Sequence, residues 1–129
     1  MANELSRLDD NLVALLATGG VNSLGLPKQK IYLLSVVVAG TSFVPNIEEI
    51  ASHIDKGSLL RMVRQPKNEY DEYAIAFFYE QDRIGYIPEM MNLVVSRLMD
   101  AGKEFYAEVT GKSKYNNWIK ITADVFMVE

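Results

Sequence analysis

Asn68-Glu69-Tyr70-Asp71-Glu72-Tyr73-Ala74-Ile75, followed shortly by Gly85-Tyr86-Ile87-Pro88, is the stretch around which the rest of the chain is organised. Asn and Asp close turns through their own side chains, whose short oxygens stand in for a backbone carbonyl. Tyr70, between Asn68 and Asp71, offers an aromatic face at the tip of such a loop, and Ala74-Ile75-Ala76-Phe77-Phe78 reads as a strand that supports it. Loops carried on strands are where binding residues concentrate. On physical grounds this is a polar loop with two candidate binding groups, a ring and a carboxylate.

Downstream, the supporting strand is expected over Glu72–Tyr79, with a turn at Glu80-Gln81-Asp82 and a short strand, Arg83–Ile87, returning as a hairpin. Pro88 suits the first position of a helix, where a missing N–H costs nothing. That helix presents Met91, Val94, Val95 and Leu98 on one face and ends at Ala101-Gly102. Phe105, Ala107 and Val109 then alternate with Tyr106 and Glu108. Ile119, Ile121, Ala123, Val125 and Met127 alternate with Lys120, Thr122 and Asp124. This period of two predicts a pair of strands, with Lys112 to Asn117 as the hairpin tip between them.

Upstream, Ser58–Gln65 reads as a strand with Leu60 and Met62 on one side and Leu59, Arg61 and Val63 on the other; Pro66 ends it. Asn46, three residues before Glu49, has the pattern of a helix cap, and Ile47, Ile50, Ala51 and Ile54 follow at helical spacing up to Asp55-Lys56-Gly57. Lys30 to Ala39 is almost continuously apolar, as in a strand buried on both faces, and Gly40 closes it. Residues 4 to 17 carry a leucine stripe, Leu5, Leu8, Leu12, Leu15 and Leu16, that predicts an amphipathic helix stopped by Thr18-Gly19-Gly20. The expected organisation is an N-terminal helix and linker over 1–29 and a domain over 30–129. The domain is a mainly β fold with inserted helices (α+β), built as a small six-stranded, mostly antiparallel barrel. The leucine stripe packs on that domain, or it docks a protein partner or a second copy of the chain.

With 129 residues, 49% apolar and 23% charged, the chain has the composition of one ordinary globular domain. It has no cysteine, which excludes disulfides, thiol catalysis and thiolate metal sites. The run from Ile31 to Ala39 is far too short to cross a membrane as a helix, and the N-terminus lacks a basic segment of the secretory kind, so a cytoplasmic location is expected. A formal charge of -4 argues against coating nucleic acid by bulk attraction, which relies on many cations neutralising phosphates. Two windows are nonetheless free of acids: Lys56 to Lys67, with Arg61 and Arg64, and Val109 to Ala123, with Lys112, Lys114 and Lys120.

Gly40-Thr41-Ser42-Phe43, then Asn68 to Ile75 in the pattern Asn-x-Tyr-Asp-x-x-Ala-Ile, then Gly85-Tyr86-Ile87-Pro88, resemble the signature of the HIRAN domain family. The likeness runs from about Ile31 to the C-terminus. It implies an OB-like barrel. In the eukaryotic members it implies a pocket for the 3′ end of single-stranded DNA: two aromatics sandwich the terminal base, an Asp accepts a hydrogen bond from the 3′ hydroxyl, and basic side chains take the phosphates. Residue by residue, Phe43 and Tyr70 match the two aromatics, Asp71 the hydroxyl acceptor and Asn68 the loop Asn beside it. The phosphate contacts do not carry over, because Ser42 stands where the family has an Arg, Tyr86 where it has a basic or polar group and Glu89 where it has Lys or Arg. Weak DNA binding follows, with Arg64, Lys67 or Lys112 as substitutes from another side. The eukaryotic members join this module to a remodelling ATPase, so a mechanical step in DNA repair or processing would need a separate partner here.

Each of these residues also has a purely structural reading. Tyr70 can cover the barrel mouth, Asp71 can bond turn N–H groups, and Phe43 can belong to the core. Tyr73 and Tyr86 read as packing residues and His53 as a surface residue. Trp118 reads as core, as a further stacking platform or as the anchor of a partner interface. A single histidine supports no Ser-His-acid grouping. No phosphate-cradling Gly-rich loop and no metal-ligand spacing is present, so the expected protein is non-enzymatic and needs no cofactor. A hydrolase using Asp71 with Glu69 or Glu72 is the minor alternative, and a protein-interaction module without DNA binding is the main one.

Overall fold

The alternating pattern at the C-terminal end of the chain becomes the longest pairing in the molecule. In the computed structural model, which describes residues 29–129, β5 (Glu104–Tyr115) and β6 (Trp118–Val128) pair antiparallel from Glu104↔Val128 to Tyr115↔Trp118. Asn116 takes the turn at φ 55°, a left-handed value that Asn tolerates through local hydrogen bonding. The hairpin tip is therefore shorter than the expected loop from Lys112 to Asn117. On one side of this hairpin β1 (Lys30–Val37) pairs with β6; on the other, β2 (Leu59–Arg64) pairs with β5. β3 (Ile75–Tyr79) and β4 (Asp82–Tyr86) complete a six-stranded sheet in the order β1-β6-β5-β2-β3-β4.

Six antiparallel strands agree with expectation, but the barrel does not: the sheet is not closed. β1 and β4 are its edges, and an isolated bridge between Ala39 and Tyr86 joins the chain beyond β1 to the end of β4. The chain leaves β1 after Val37 and turns away at Gly40, φ 81°, so the two edges meet at a point where a barrel would need a ladder. The expected N-terminal helix and its linker, up to residue 28, lie outside the described residues.

β1 also departs from its reading as a strand buried on both faces. As an edge strand it buries Val36 and leaves Tyr32 and Val37 exposed. A register shift between Tyr32 and Leu34 breaks the alternation, so the adjacent Leu33 and Leu34 both pack partly against the core. That core is centred on Leu60, Ile75, Phe77, Ile84, Ile121 and Val125, each at most 1% exposed.

Two short helices cover part of the sheet. The apolar spacing after Asn46 does form a helix, α1 (Ile47–Ser52), which together with Ile54 just beyond it gives Ala51 and Ile54 to the core. Asn46 does not cap it: its backbone is left-handed, φ 61°, and its side chain makes no cap hydrogen bond. Pro88 precedes a 3-10 turn (Glu89–Met91), and α2 (Asn92–Asp100) begins only after it. The inward face of α2 carries Asn92, Val95 and Ser96, with Leu98 and Met99 packed against the core, so of the apolar face expected from Met91, Val94, Val95 and Leu98 the second pair faces inward and Met91 and Val94, 42% and 66% exposed, do not. The strand expected from Glu72 starts later, at Ile75, because Asp71 holds residues 71–74 in a turn: its carbonyl accepts from Ala74 N–H at 3.1 Å.

Candidate nucleic-acid interface

Three separated segments meet where the edges of the sheet come together. Ala39 N–H donates to the Tyr86 carbonyl at 2.8 Å, and Tyr86 N–H returns to the Ala39 carbonyl at 2.9 Å. Gln65 N–H donates to the Ala74 carbonyl and Ile87 N–H to the Ile75 carbonyl, both at 3.0 Å. The segment after β1, the loop between β2 and β3, and the end of β4 are thus stitched backbone to backbone. Gly85 permits this approach, since an added Cβ would sit 2.5 Å from Val38 Cγ1 and against the Ala39 carbonyl oxygen.

Phe43 is held out by its neighbours. Thr41, 1% exposed, donates its hydroxyl to the Ile119 carbonyl at 2.7 Å, and Val44 is buried on the other side. Between these anchors a 3-10 turn (Thr41–Phe43) leaves Phe43 85% exposed. A ring displayed at a cost in apolar exposure, on a turn pinned at both ends, is the kind of exception that calls for a ligand.

The loop from Asn68 to Ala74 is organised by side-chain oxygens, as Asx chemistry predicts. Asn68 Oδ1 accepts from the N–H of Tyr70 at 2.8 Å and of Asp71 at 3.1 Å. Its amide donates to Gln65 Oε1 at 3.0 Å, and the same oxygen accepts the Tyr86 hydroxyl at 2.9 Å. Tyr70, at the tip, is 86% exposed. Asp71 Oδ1 accepts from Tyr73 N–H at 2.9 Å and Oδ2 from the Asn92 amide at 2.7 Å. A carboxylate has about four acceptor positions, so these two bonds orient the group and leave each oxygen with capacity for a further donor.

Phe43, Asn68, Tyr70 and Asp71 line one cleft of about 810 Å³, within the range of about 300–1,000 Å³ usual for small-ligand sites. Tyr86 and Arg83 form part of its wall, and Glu69 and Glu89 add negative charge. Lys67 lies beside it, in a smaller hollow with Gln65, Pro66 and Asn68. Trp118 is 42% exposed at the hairpin turn, its ring 5.8 Å from that of Tyr115. His53 is exposed, and the described residues hold no group of His, Asp or Glu able to bind a metal.

Arg64 is not in the cleft lining. Its guanidinium is bidentate to Asp100, at 2.9 and 3.0 Å, and donates to the Ala74 carbonyl at 2.9 Å. The hydrogen bond with Asp100 raises the Arg64 pKa above its ordinary value, and the same bond lowers that of Asp100. Lys112 donates to the Ala51 carbonyl at 2.5 Å, and Lys114 pairs with Glu48 at 3.1 Å. The residues that sequence reasoning missed are Gln65, Arg83 and Asn92. Arg83 and Gln65 have local partners, Tyr86 and Asn68, each three residues away, but the links that tie them into the cleft are long-range: Tyr86 to Gln65 and Asn92 to Asp71, each 21 residues apart in sequence.

Among solved structures, a protein from Lactobacillus plantarum is similar, with a TM-score of 0.73 and 24% identity, covering 79% of this chain and 98% of that one. The HIRAN domain of human HLTF is similar with a TM-score of 0.60 and 15% identity, covering 78% of this chain and 80% of that one. At such identities both likenesses speak for the fold. No curated protein sequence matches the chain. The family model for the HIRAN domain matches residues 31–128, from β1 through β6, and so includes all three segments that the backbone bonds draw into the cleft. The chain belongs to the HIRAN domain family.

Proposed function

We propose that the cleft binds the end of a single-stranded DNA with a free 3′ hydroxyl, and that the protein is a binding module rather than an enzyme. The observation that carries this reading is the display of two rings, Phe43 and Tyr70, at 85% and 86% exposure on a cleft that also contains the oriented carboxylate of Asp71. Base stacking on such rings supplies about 1–3 kcal/mol per base without reading sequence. The remaining acceptor capacity of Asp71 favours a terminal hydroxyl, while its charge repels a continuing phosphate. Weak affinity is expected, because Glu69 and Glu89 share the cleft. A role in DNA repair or processing, in the cell interior, follows from this reading. Among the described residues, no helix is long and apolar enough to cross a membrane.

The test is binding of a short oligonucleotide at low salt in 3′-hydroxyl and 3′-phosphate forms. Tighter binding of the hydroxyl form, lost in Tyr70→Ala, supports the reading; equal binding of both forms, or none, sinks it.

One observation favours a second reading, a protein-interaction module. Around the start of α2, Met90 is 90% and Val94 66% exposed, with Met91 and Leu93 beside them. Clustered apolar exposure of this kind is typical of docking surfaces. Chain mass in solution, with and without Val94→Glu, checks for self-association through this strip.

A further inference from the structure

We infer that Arg83 holds the phosphate of the bound strand, and that the cleft neutralises one phosphodiester rather than several. The inference rests on the reading of the cleft as a site for a DNA end. Of the cations that the sequence offers for this task, Arg64 is held by Asp100 and the Ala74 carbonyl and Lys112 by the Ala51 carbonyl, while Lys67 lies in the neighbouring hollow outside the lining of the cleft. The positions beside the signature elements are Ser42, Tyr86 and Glu89, none of them cationic.

Arg83 lines the same cleft as Phe43, Tyr70 and Asp71. Its side chain is exposed, its guanidinium carbon lies 5.4 Å from the centroid of the Tyr86 ring, and one nitrogen donates to the Tyr86 hydroxyl at 3.1 Å. Contact with the ring fixes the guanidinium without cancelling its charge. Among the described residues it forms no ion pair. A guanidinium has five N–H donors, so one bond to Tyr86 leaves a fork free for a phosphate. Tyr86 is anchored in turn on Gln65, which also holds Asn68. The cation and the loop bearing Tyr70 and Asp71 are therefore positioned by one chain of hydrogen bonds.

Charge limits the site to one such contact. Glu69, Asp71 and Glu89 face the same space, so a second backbone phosphate would meet anions. With the base on the rings and the 3′ hydroxyl at Asp71, the group left for Arg83 is the 5′ phosphate of the terminal nucleotide.

The test is affinity of the full chain for a 3′-hydroxyl oligothymidylate across a salt series, with Arg83→Gln, Arg83→Lys, Lys67→Gln and Tyr70→Ala, each checked for an unchanged melting curve. A single phosphate contact on a single strand predicts a slope of log K against log salt of about −0.7. Arg83→Gln is expected to lose about tenfold in affinity at low salt and to flatten that slope. Arg83→Lys keeps the slope, and Tyr70→Ala loses affinity with the slope unchanged. A wild-type slope two or more times steeper, an unchanged slope in Arg83→Gln, or a slope removed by Lys67→Gln overturns the inference while leaving the DNA-end reading standing. Absence of wild-type binding overturns both.

Discussion

The side-chain amide of Asn92, 2% exposed, donates to Asp71 Oδ2 at 2.7 Å, so the first residue of α2 orients the carboxylate of a loop formed 21 residues earlier. The bond explains why a polar residue faces inward on α2. It also makes the helix part of the cleft without placing any of it in the lining. Replacing Asn92 with Leu leaves Asp71 Oδ2 short of a donor and is expected to cost about 1–3 kcal/mol in urea unfolding. Asn92→Asp sets two carboxylates against each other, so its loss is expected to exceed that of Asn92→Leu. A loss for Asn92→Asp no larger than that for Asn92→Leu would show that the two groups do not face each other.

Phe43→Ala and Tyr70→Ala remove side chains that make little of the core. Stability is expected to stay within about 0.5 kcal/mol of the parent, while binding of a 3′-hydroxyl oligonucleotide weakens by about 1–3 kcal/mol for each ring. Thermal unfolding and fluorescence anisotropy read the two effects separately. A large fall in melting temperature for either variant would mean that the ring is a packing residue after all.

Gly85→Ala places a methyl group against the Ala39 carbonyl and Val38 Cγ1, inside the backbone bridge that joins the sheet edges. Overpacking of this kind costs about 1–3 kcal/mol. Faster amide exchange at Ala39 and Tyr86 should accompany it, since those two N–H groups make the bridge. Unchanged protection at both positions would contradict the close approach.

The pair of Arg64 and Asp100 has a definite acid signature. Its hydrogen bond, reinforced by the charge of Arg64, holds the Asp100 pKa below the ordinary carboxylate value. A folded-state pKa below the unfolded one gives stability that is present above the unfolded value of about 3.9 and is lost as pH falls through the folded value. Arg64 is shifted the other way, upward, so its share is already complete throughout the acid and neutral range and adds no slope near neutrality. The stability difference between the parent and Asp100→Asn should therefore be constant from about pH 6 to 8 and shrink below about pH 4. A difference that grows on acidification would rule out the pair as its source.

What could be read from the chain alone was whatever depends on neighbours in sequence. The turn at Asn68-x-Tyr70-Asp71 was legible because Asx oxygens bond N–H groups two and three residues on. The β5–β6 hairpin was legible because the alternation persists along both strands. The order of the three signature segments carried the family for the same reason. The face of α2 was legible in part: Val95 and Leu98 pack on the core as helical spacing predicts, whereas Asn92 faces inward toward the carboxylate of Asp71, a partner that the spacing cannot show.

Closure of the sheet, the partners of the basic side chains and the wall of the cleft belong to the tertiary structure. Arg64 reads as a free cation until Asp100, 36 residues later, is brought within 2.9 Å of it. Arg83 reads as an ordinary strand residue until Tyr86, Gln65 and Asn68 are linked beside it. The physical reason is one of range. Turn chemistry and strand alternation act over a few covalent bonds, whereas the net charge left in a cleft depends on which ion pairs form across the fold, and that is settled only when distant segments meet.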